Sequence, residues 1–152
     1  MTDQRPVALI TMASGYVGPA LARTLAERGY DIVLQGADGD GSMVGVEVPL
    51  ADQIPALEAA GATVHIVTDA DLATADGNAA LVAQALERFG RLDSACLVTG
   101  QIIVGKFHDM TAQQREQVQR KNHDKVLHGL HARHPPNVAA RSAQEGLFNS
   151  AT

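Results

Sequence analysis

The chain has 152 residues, a formal net charge of −5, a single cysteine and only 3% aromatic residues. That length suits one ordinary domain that buries about two-thirds of its unfolded surface, so residues 1–152 read as a single domain. The lack of any basic run and the scarcity of aromatics argue against a nucleic-acid surface built on phosphate contacts and base stacking, and no apolar run is long enough to span a membrane.

Val7-Ala8-Leu9-Ile10 is a short apolar run behind Pro6 and predicts a buried parallel strand. Met12-Ala13-Ser14-Gly15 then turns the chain, and Val17, Leu21 and Leu25 with Ala20 recur at helical spacing. Strand, tight turn and helix make the first half of a βαβ unit. At such a turn the free backbone N–H groups and the positive end of the helix dipole face one point, where a pyrophosphate is stabilised. Gly15 is expected to let the backbone approach a phosphate, and Gly18 to let the helix pack closely on its strand.

The first helix is expected to end near Arg28-Gly29, and Asp31 to Gln35 predicts the second strand. Gly36 to Gly45 carries four glycines and two aspartates and is a loop. Asp52-Gln53-Ile54-Pro55 predicts a helix start with proline in the first turn, closed by Gly61. Thr63 to Val67 alternates as a third strand, in which His65 reads as a packed or rim histidine. A helix over Ala75 to Phe89 and a strand over Leu92 to Val98 complete a fourth unit. The alternation of strands and helices with short links indicates an α/β domain, a doubly wound parallel sheet with helices on both faces.

Beyond it, Thr99 to Phe107 is a loop too apolar to stand free in solvent. Thr111-Ala112-Gln113-Gln114 has capping-box spacing, so a long helix is expected from Thr111 to about His131, with Val118, Val126, Leu127 and Leu130 as its apolar stripe. His134-Pro135-Pro136 ends it, and Gly146 to Ser150 is a candidate fifth strand. His128, His131 and His134 are regularly spaced, but no carboxylate or cysteine completes a ligand set, so no metal site is expected. Cys96 lies in an apolar stretch and reads as a packed core thiol. With no apolar leader in Met1-Thr2-Asp3-Gln4-Arg5-Pro6, the expected compartment is reducing and cytoplasmic.

These segments together resemble the N-terminal portion of a short-chain dehydrogenase/reductase, over nearly the whole length. Thr11-Met12-Ala13-Ser14-Gly15-Tyr16-Val17-Gly18 resembles the family's TGxxGxxG cofactor loop, with Met12 in place of its first glycine. Asp71-Leu72 resembles the acidic-aliphatic pair that meets the adenine, and Leu97-Val98-Thr99-Gly100 stands in the place of the NNAG segment, keeping its glycine. Val118-Gln119-Arg120-Lys121-Asn122 is similar to the helix carrying a structural and catalytic asparagine, which implies that role for Asn122. Pro135-Pro136 and Ser150-Ala151-Thr152 resemble the segment leading to the catalytic serine, with Ser150 at the serine position. The resemblance implies a Rossmann-like fold, incomplete at its C-terminal side, with cofactor contacts from Thr11, Ser14, Gly15, Tyr16, Val17, Gly18, Asp71, Leu72 and Gly100.

It also implies NAD(P)-dependent hydride transfer between nicotinamide and an alcohol or carbonyl substrate. Family chemistry uses a YxxxK pair, whose lysine lowers the phenol pKa for proton exchange with the substrate oxygen. Here the only tyrosines are Tyr16 and Tyr30, and neither has lysine four residues later. The chain therefore reads as a truncated or degenerate copy, or alternatively as a non-catalytic dinucleotide-binding or oligomerisation module. Many family members pack as dimers through the helix matched here by Thr111 to His131, so a homo-oligomer is expected. NAD is expected over NADP, because Gln35 to Asp40 offers Asp38 and Asp40 for a free ribose and no Lys or Arg for a 2′-phosphate.

Overall fold

The computed structural model describes residues 4–36, 47–100, 106–132 and 145–146. One parallel sheet contains β1 (Val7–Ile10), β2 (Asp31–Gln35), β3 (Val64–Val67), β4 (Ser94–Cys96) and the two-residue β5 (Glu145–Gly146), in the spatial order β3-β2-β1-β4-β5. Between them run α1 (Gly18–Glu27), α2 (Leu50–Ala59), α3 (Ala75–Phe89), α4 (Ala112–Gln119) and α5 (Lys125–Ala132).

Successive strand residues point to opposite faces, and here both faces are covered. Ala8, Ile10, Ile32 and Leu34 pack on one side with Ala22 and Ala26 of α1 and Leu50 and Leu57 of α2. Val7, Leu9, Val33 and Val67 pack on the other with Leu81 and Ala85 of α3 and Leu130 of α5. This double burial is why the strands read as unbroken apolar runs. The doubly wound parallel architecture expected from the alternation is the one adopted. The strand order reverses at β1, with β2 on one side and β4 on the other. In open sheets of this kind the crevice beyond the strand carboxyl ends at that reversal is the ligand position.

Several boundaries differ from the sequence reading, and β4 is shorter than the expected Leu92 to Val98. The second helix begins at Leu50, so Pro55 lies inside it and not in its first turn. The carbonyl that loses its helical donor is that of Ala51, which is on the exposed side. The expected helix from Thr111 to His131 is broken into α4 and α5 by a π-helical turn at Arg120–Asp124, although its predicted capping box is present, with Gln114 N donating to Thr111 Oγ1 at 3.1 Å and Thr111 N to Gln114 Oε1 at 2.9 Å. The last strand is Glu145–Gly146, parallel to β4; of the expected stretch Gly146 to Ser150, the residues after Gly146 lie outside the described residues. No helix among the described residues is long and apolar enough to cross a membrane.

The lower edge of the sheet is pinned by Asp93. Its Oδ2 accepts from Val7 N at 2.8 Å and from Arg91 Nε at 2.8 Å, while Oδ1 accepts from Arg91 Nη2 at 2.6 Å. Burial by itself pushes this carboxyl up, but the hydrogen bonds from Arg91 and the Val7 amide, with the Arg91 charge, outweigh burial and hold it below the ordinary carboxylate range. A depressed pKa contributes stability that is present above the unfolded value of about 3.9 and is lost as pH falls through the lower folded value. Thermal melts of the parent should therefore lose stability below about pH 4, with a steeper slope than Asp93→Asn. Parallel slopes for the two proteins would show that this anchor carries no linkage.

Candidate functional site

The turn between β1 and α1 is held from three sides. Thr11 Oγ1 donates to Val98 O at 2.7 Å, Ala13 N donates to Gln35 O at 2.9 Å, and Gln53 Nε2 of α2 donates to Ala13 O at 2.8 Å and Val48 O at 3.0 Å. Thr11, Ser14, Gly15 and Gly18 are buried, Val17 is half-buried, and Tyr16 is the exposed residue of the turn.

Gly18 does what its position predicts. A Cβ there would lie 2.5 Å from Met12 O and 2.8 Å from Ala13 Cα, so only glycine lets α1 start so close to the turn. Gly15 does not stand open to a phosphate as expected. It pairs with Glu47 in an isolated antiparallel bridge, and its N–H donates to Met12 O at 3.2 Å. The Gly18 N–H is likewise directed to Gly15 O at 2.9 Å. Two of the amides expected to face a pyrophosphate are thus closed on their own loop, because the Glu47–Val48 segment and the start of α1 pack against it. The left-handed residues of the turn are Met12 (φ 47°) and Tyr16 (φ 54°). Each carries backbone strain of about 1–2 kcal/mol in a conformation glycine adopts freely. What the turn still offers an anion is the positive end of α1 behind Tyr16 and Val17.

Across β2, a cleft of about 650 Å³ opens at the carboxyl ends of β2 and β3, lined by Gln35, Gly36, Asp71 and Leu72 and by one face of α4 and the following turn. Asp71-Leu72 follows β3 and lines this cleft. The Asp71 Oδ1 accepts from Ala73 N at 3.0 Å, its main-chain oxygen accepts from Thr74 Oγ1 at 2.9 Å, and Thr74 Oγ1 caps α3 by accepting from Gly77 N at 3.0 Å. Buried Asn78 Nδ2 donates to Leu72 O at 2.8 Å. The turn is therefore rigid, with its carboxylate exposed at the cleft. Adenosine fits this lining in size and polarity.

The sequence reading missed the cleft's third wall, which includes Gln113, Gln117, Lys121 and Lys125. Their spacing of four residues was a readable signal of one helical face. Arg120 joins them from the π-helical turn.

On the far side of β1, Asn122 lies half-buried in that same turn, and its main-chain oxygen accepts from Thr99 Oγ1 at 3.5 Å. The structure so brings Asn122 beside the Thr99-Gly100 segment. Asp38 and Ser150 lie outside the described residues. Tyr30 packs against the core and Tyr16 sits exposed in the turn. Cys96 is a buried thiol of β4.

A model of the short chain dehydrogenase family matches residues 6–143. No curated protein matches the sequence. Among solved structures, the chain is similar to a 3-oxoacyl-[acyl-carrier protein] reductase from Brucella melitensis, 26% identical with TM-score 0.71, covering 86% of this chain and 50% of that one. It is also similar to an actinorhodin polyketide ketoreductase with NADPH, 24% identical with TM-score 0.72 over 87% and 48% of the two chains. An NADH-dependent reductase complexed with NAD is 21% identical with TM-score 0.70 over 85% and 50%. The chain spans about half the length of these structures.

Proposed function

The chain belongs to the short chain dehydrogenase family, and from that premise we propose that it binds a nicotinamide dinucleotide and is a short-chain oxidoreductase or a degenerate copy of one. The supporting observation is the cleft at the carboxyl ends of β2 and β3, in which Asp71 and Leu72 face Gln35 and Gly36 one strand away from the β1–α1 turn. Adenosine lies in the cleft, with Asp71 accepting from the adenine and Leu72 lining its edge. The pyrophosphate lies at the positive end of α1, beside Tyr16 and Val17.

When bound, the nicotinamide supplies or accepts hydride for an alcohol or carbonyl substrate. In this chain Asn122 and Gly100 border the nicotinamide side, with Ser150 as the polar partner of the substrate oxygen. No tyrosine-lysine pair is present in these 152 residues to exchange the substrate proton. A general acid typically contributes about 10²–10⁴-fold in rate, whereas dinucleotide binding does not need that pair and is the property to test.

The same observation gives weight to a second reading, a non-catalytic dinucleotide-binding or oligomerisation module. Leu127 of α5 is 53% exposed, and the helical stretch from Thr111 to His131 is the surface through which a homo-oligomer forms in that reading. The preference for NAD rested on a lack of cations near the end of β2. Arg120, Lys121 and Lys125 line the cleft shared with Gln35 and Gly36, so NAD and NADP are both candidate cofactors.

Calorimetric titration with NAD and NADP tests the binding reading. Binding of at least one is expected to the parent and to Tyr16→Gly, in which glycine relieves left-handed strain that the free protein already carries. Failure of both dinucleotides to bind the parent and the variant would sink it.

A further inference from the structure

Asn78 stands on the inward face of α3, in the row with Leu81 and Ala85, and is only 3% exposed. The rest of that row is apolar and packs on the sheet, so helical patterning alone calls for an apolar side chain at this position. A buried amide costs stability unless its polar atoms are bonded. Here Asn78 Nδ2 donates to Leu72 O at 2.8 Å and to Thr74 O at 2.8 Å. Both carbonyls belong to the turn that begins at Asp71, so one buried side chain ties that turn to the helix after it. α5 packs against the same amide: a Cβ at Gly129 would come within 3.4 Å of Asn78 Oδ1. Hydrogen bonds and packing together hold the amide in one place.

We propose that Asn78 is a positioning residue for base selectivity: by fixing the 71–74 turn from inside α3, it makes the cleft take adenine over a base with a carbonyl oxygen in place of the amino group. The proposal rests on the adenosine reading above and adds the residue that makes it selective. Asp71 Oδ1 accepts from Ala73 N, and Oδ2 has no donor among the described residues. The exposed carboxylate thus keeps an acceptor for an amino group. Against hypoxanthine the same oxygen meets a second acceptor, and either a hydrogen bond is lost or the turn must shift. Only a turn that cannot shift converts that mismatch into selectivity. Thr74 joins the turn to α3 as its N-cap, but Asn78 reaches past it to Leu72. Because the Leu72 side chain is buried, holding its carbonyl leaves the residue beside Asp71 little room to turn.

The test titrates the intact chain with 5′-AMP and 5′-IMP, which differ only at the 6-position of the base and the ring nitrogen beside it. The parent is expected to bind AMP about tenfold or more tightly than IMP, the scale of one hydrogen bond to a charged group. In Asn78→Leu, which keeps the volume and loses the donor, the ratio should fall to about twofold or less, with IMP affinity little changed. Destabilising the fold alone weakens both nucleotides by the same factor and leaves the ratio where it was. Leu57→Val, in the core on the other face of the sheet, is the control: its melting midpoint drops and its ratio stays that of the parent. If Asn78→Leu does not fold, Asn78→Ala replaces it, since a smaller side chain removes the donor without crowding α5.

A ratio in the Asn78 variants equal to that of the parent overturns the proposal and leaves the adenosine reading standing. A ratio that falls as far in Leu57→Val overturns it too, since any loosening of the fold would then suffice. Equal binding of AMP and IMP by the parent removes Asp71 from base recognition and the proposal with it, while dinucleotide binding stands. Failure of AMP, IMP, NAD and NADP to bind at all defeats both readings together.

Discussion

Gly77→Ala is expected to lower unfolding stability by more than about 2 kcal/mol, although alanine is the better helix former. A Cβ at Gly77 would lie 2.0 Å from the Asp71 main-chain oxygen, 2.6 Å from its carbonyl carbon and 3.0 Å from its nitrogen. All three are backbone atoms, so no rotamer change relieves the clash. The Asp71 segment cannot retreat either, because its oxygens accept from Thr74 and Ala73 and Asn78 holds the next carbonyl at 2.8 Å. Helix propensity returns about 1 kcal/mol on replacing glycine by alanine, whereas overpacking costs about 1–3 kcal/mol and more against rigid backbone. The clash wins. Gly90→Ala separates this from conformational cost alone: Gly90 has φ 73° with nothing within 4 Å of its Cβ position, so the loss there should be about 1 kcal/mol. Urea midpoints for the two variants check the order. If Gly77→Ala unfolds at the parent's midpoint, the close approach of α3 to the Asp71 turn is wrong.

Gly18→Ala should affect binding as well as stability. The added carbon meets Met12 O at 2.5 Å and Ala13 Cα at 2.8 Å, and Met12 O is the acceptor that closes the turn on Gly15 N. Either α1 shifts away from the sheet or the turn opens. A loss of about 2–3 kcal/mol is expected, together with a dinucleotide affinity lower by about tenfold or more, because the positive end of α1 moves with it. The variant is to be melted and then titrated well below its midpoint, so that unfolding and weak binding are separated. Unchanged affinity in a folded Gly18→Ala protein would mean that the start of α1 plays no part in holding phosphates.

Legibility in the sequence followed how local each cause is. The four principal strands and the helices over Gly18–Glu27 and Ala75–Phe89 announce themselves through apolar runs and helical spacing, and Thr111 with Gln114 reveals a capping box within four residues. Asp71-Leu72 was singled out by its resemblance to a family pair, and in the structure it follows β3 and lines the cleft. Met12 and Tyr16 as the left-handed pair were half legible: Met12 stood out as a non-glycine in a glycine position, while the φ of Tyr16 depends on how Gly15 is drawn under Glu47. The π-helical turn has no signature in the residues Arg120 to Asp124 themselves. The cationic wall of the cleft lies about eighty residues downstream of the strand it faces, so a reading of the residues next to β2 had no access to it.

The π-helical turn also sets a constraint on how this chain can vary. One residue advances an ordinary helix by about 100°, and the widened turn at Arg120–Asp124 absorbs an offset between the cleft-facing row before it and the packing row after it. Gly129 uses that phase to seat against Leu97, where a Cβ would come within 2.9 Å of the leucine side chain. A π-helical turn accommodates one extra residue within an α-helix, so excising a single residue between Arg120 and Asp124 is expected to regularise the helix and leave Gly129 against Leu97. Length in this short stretch is therefore freer than in the helices on either side, and a one-residue gap between relatives is expected to fall within it.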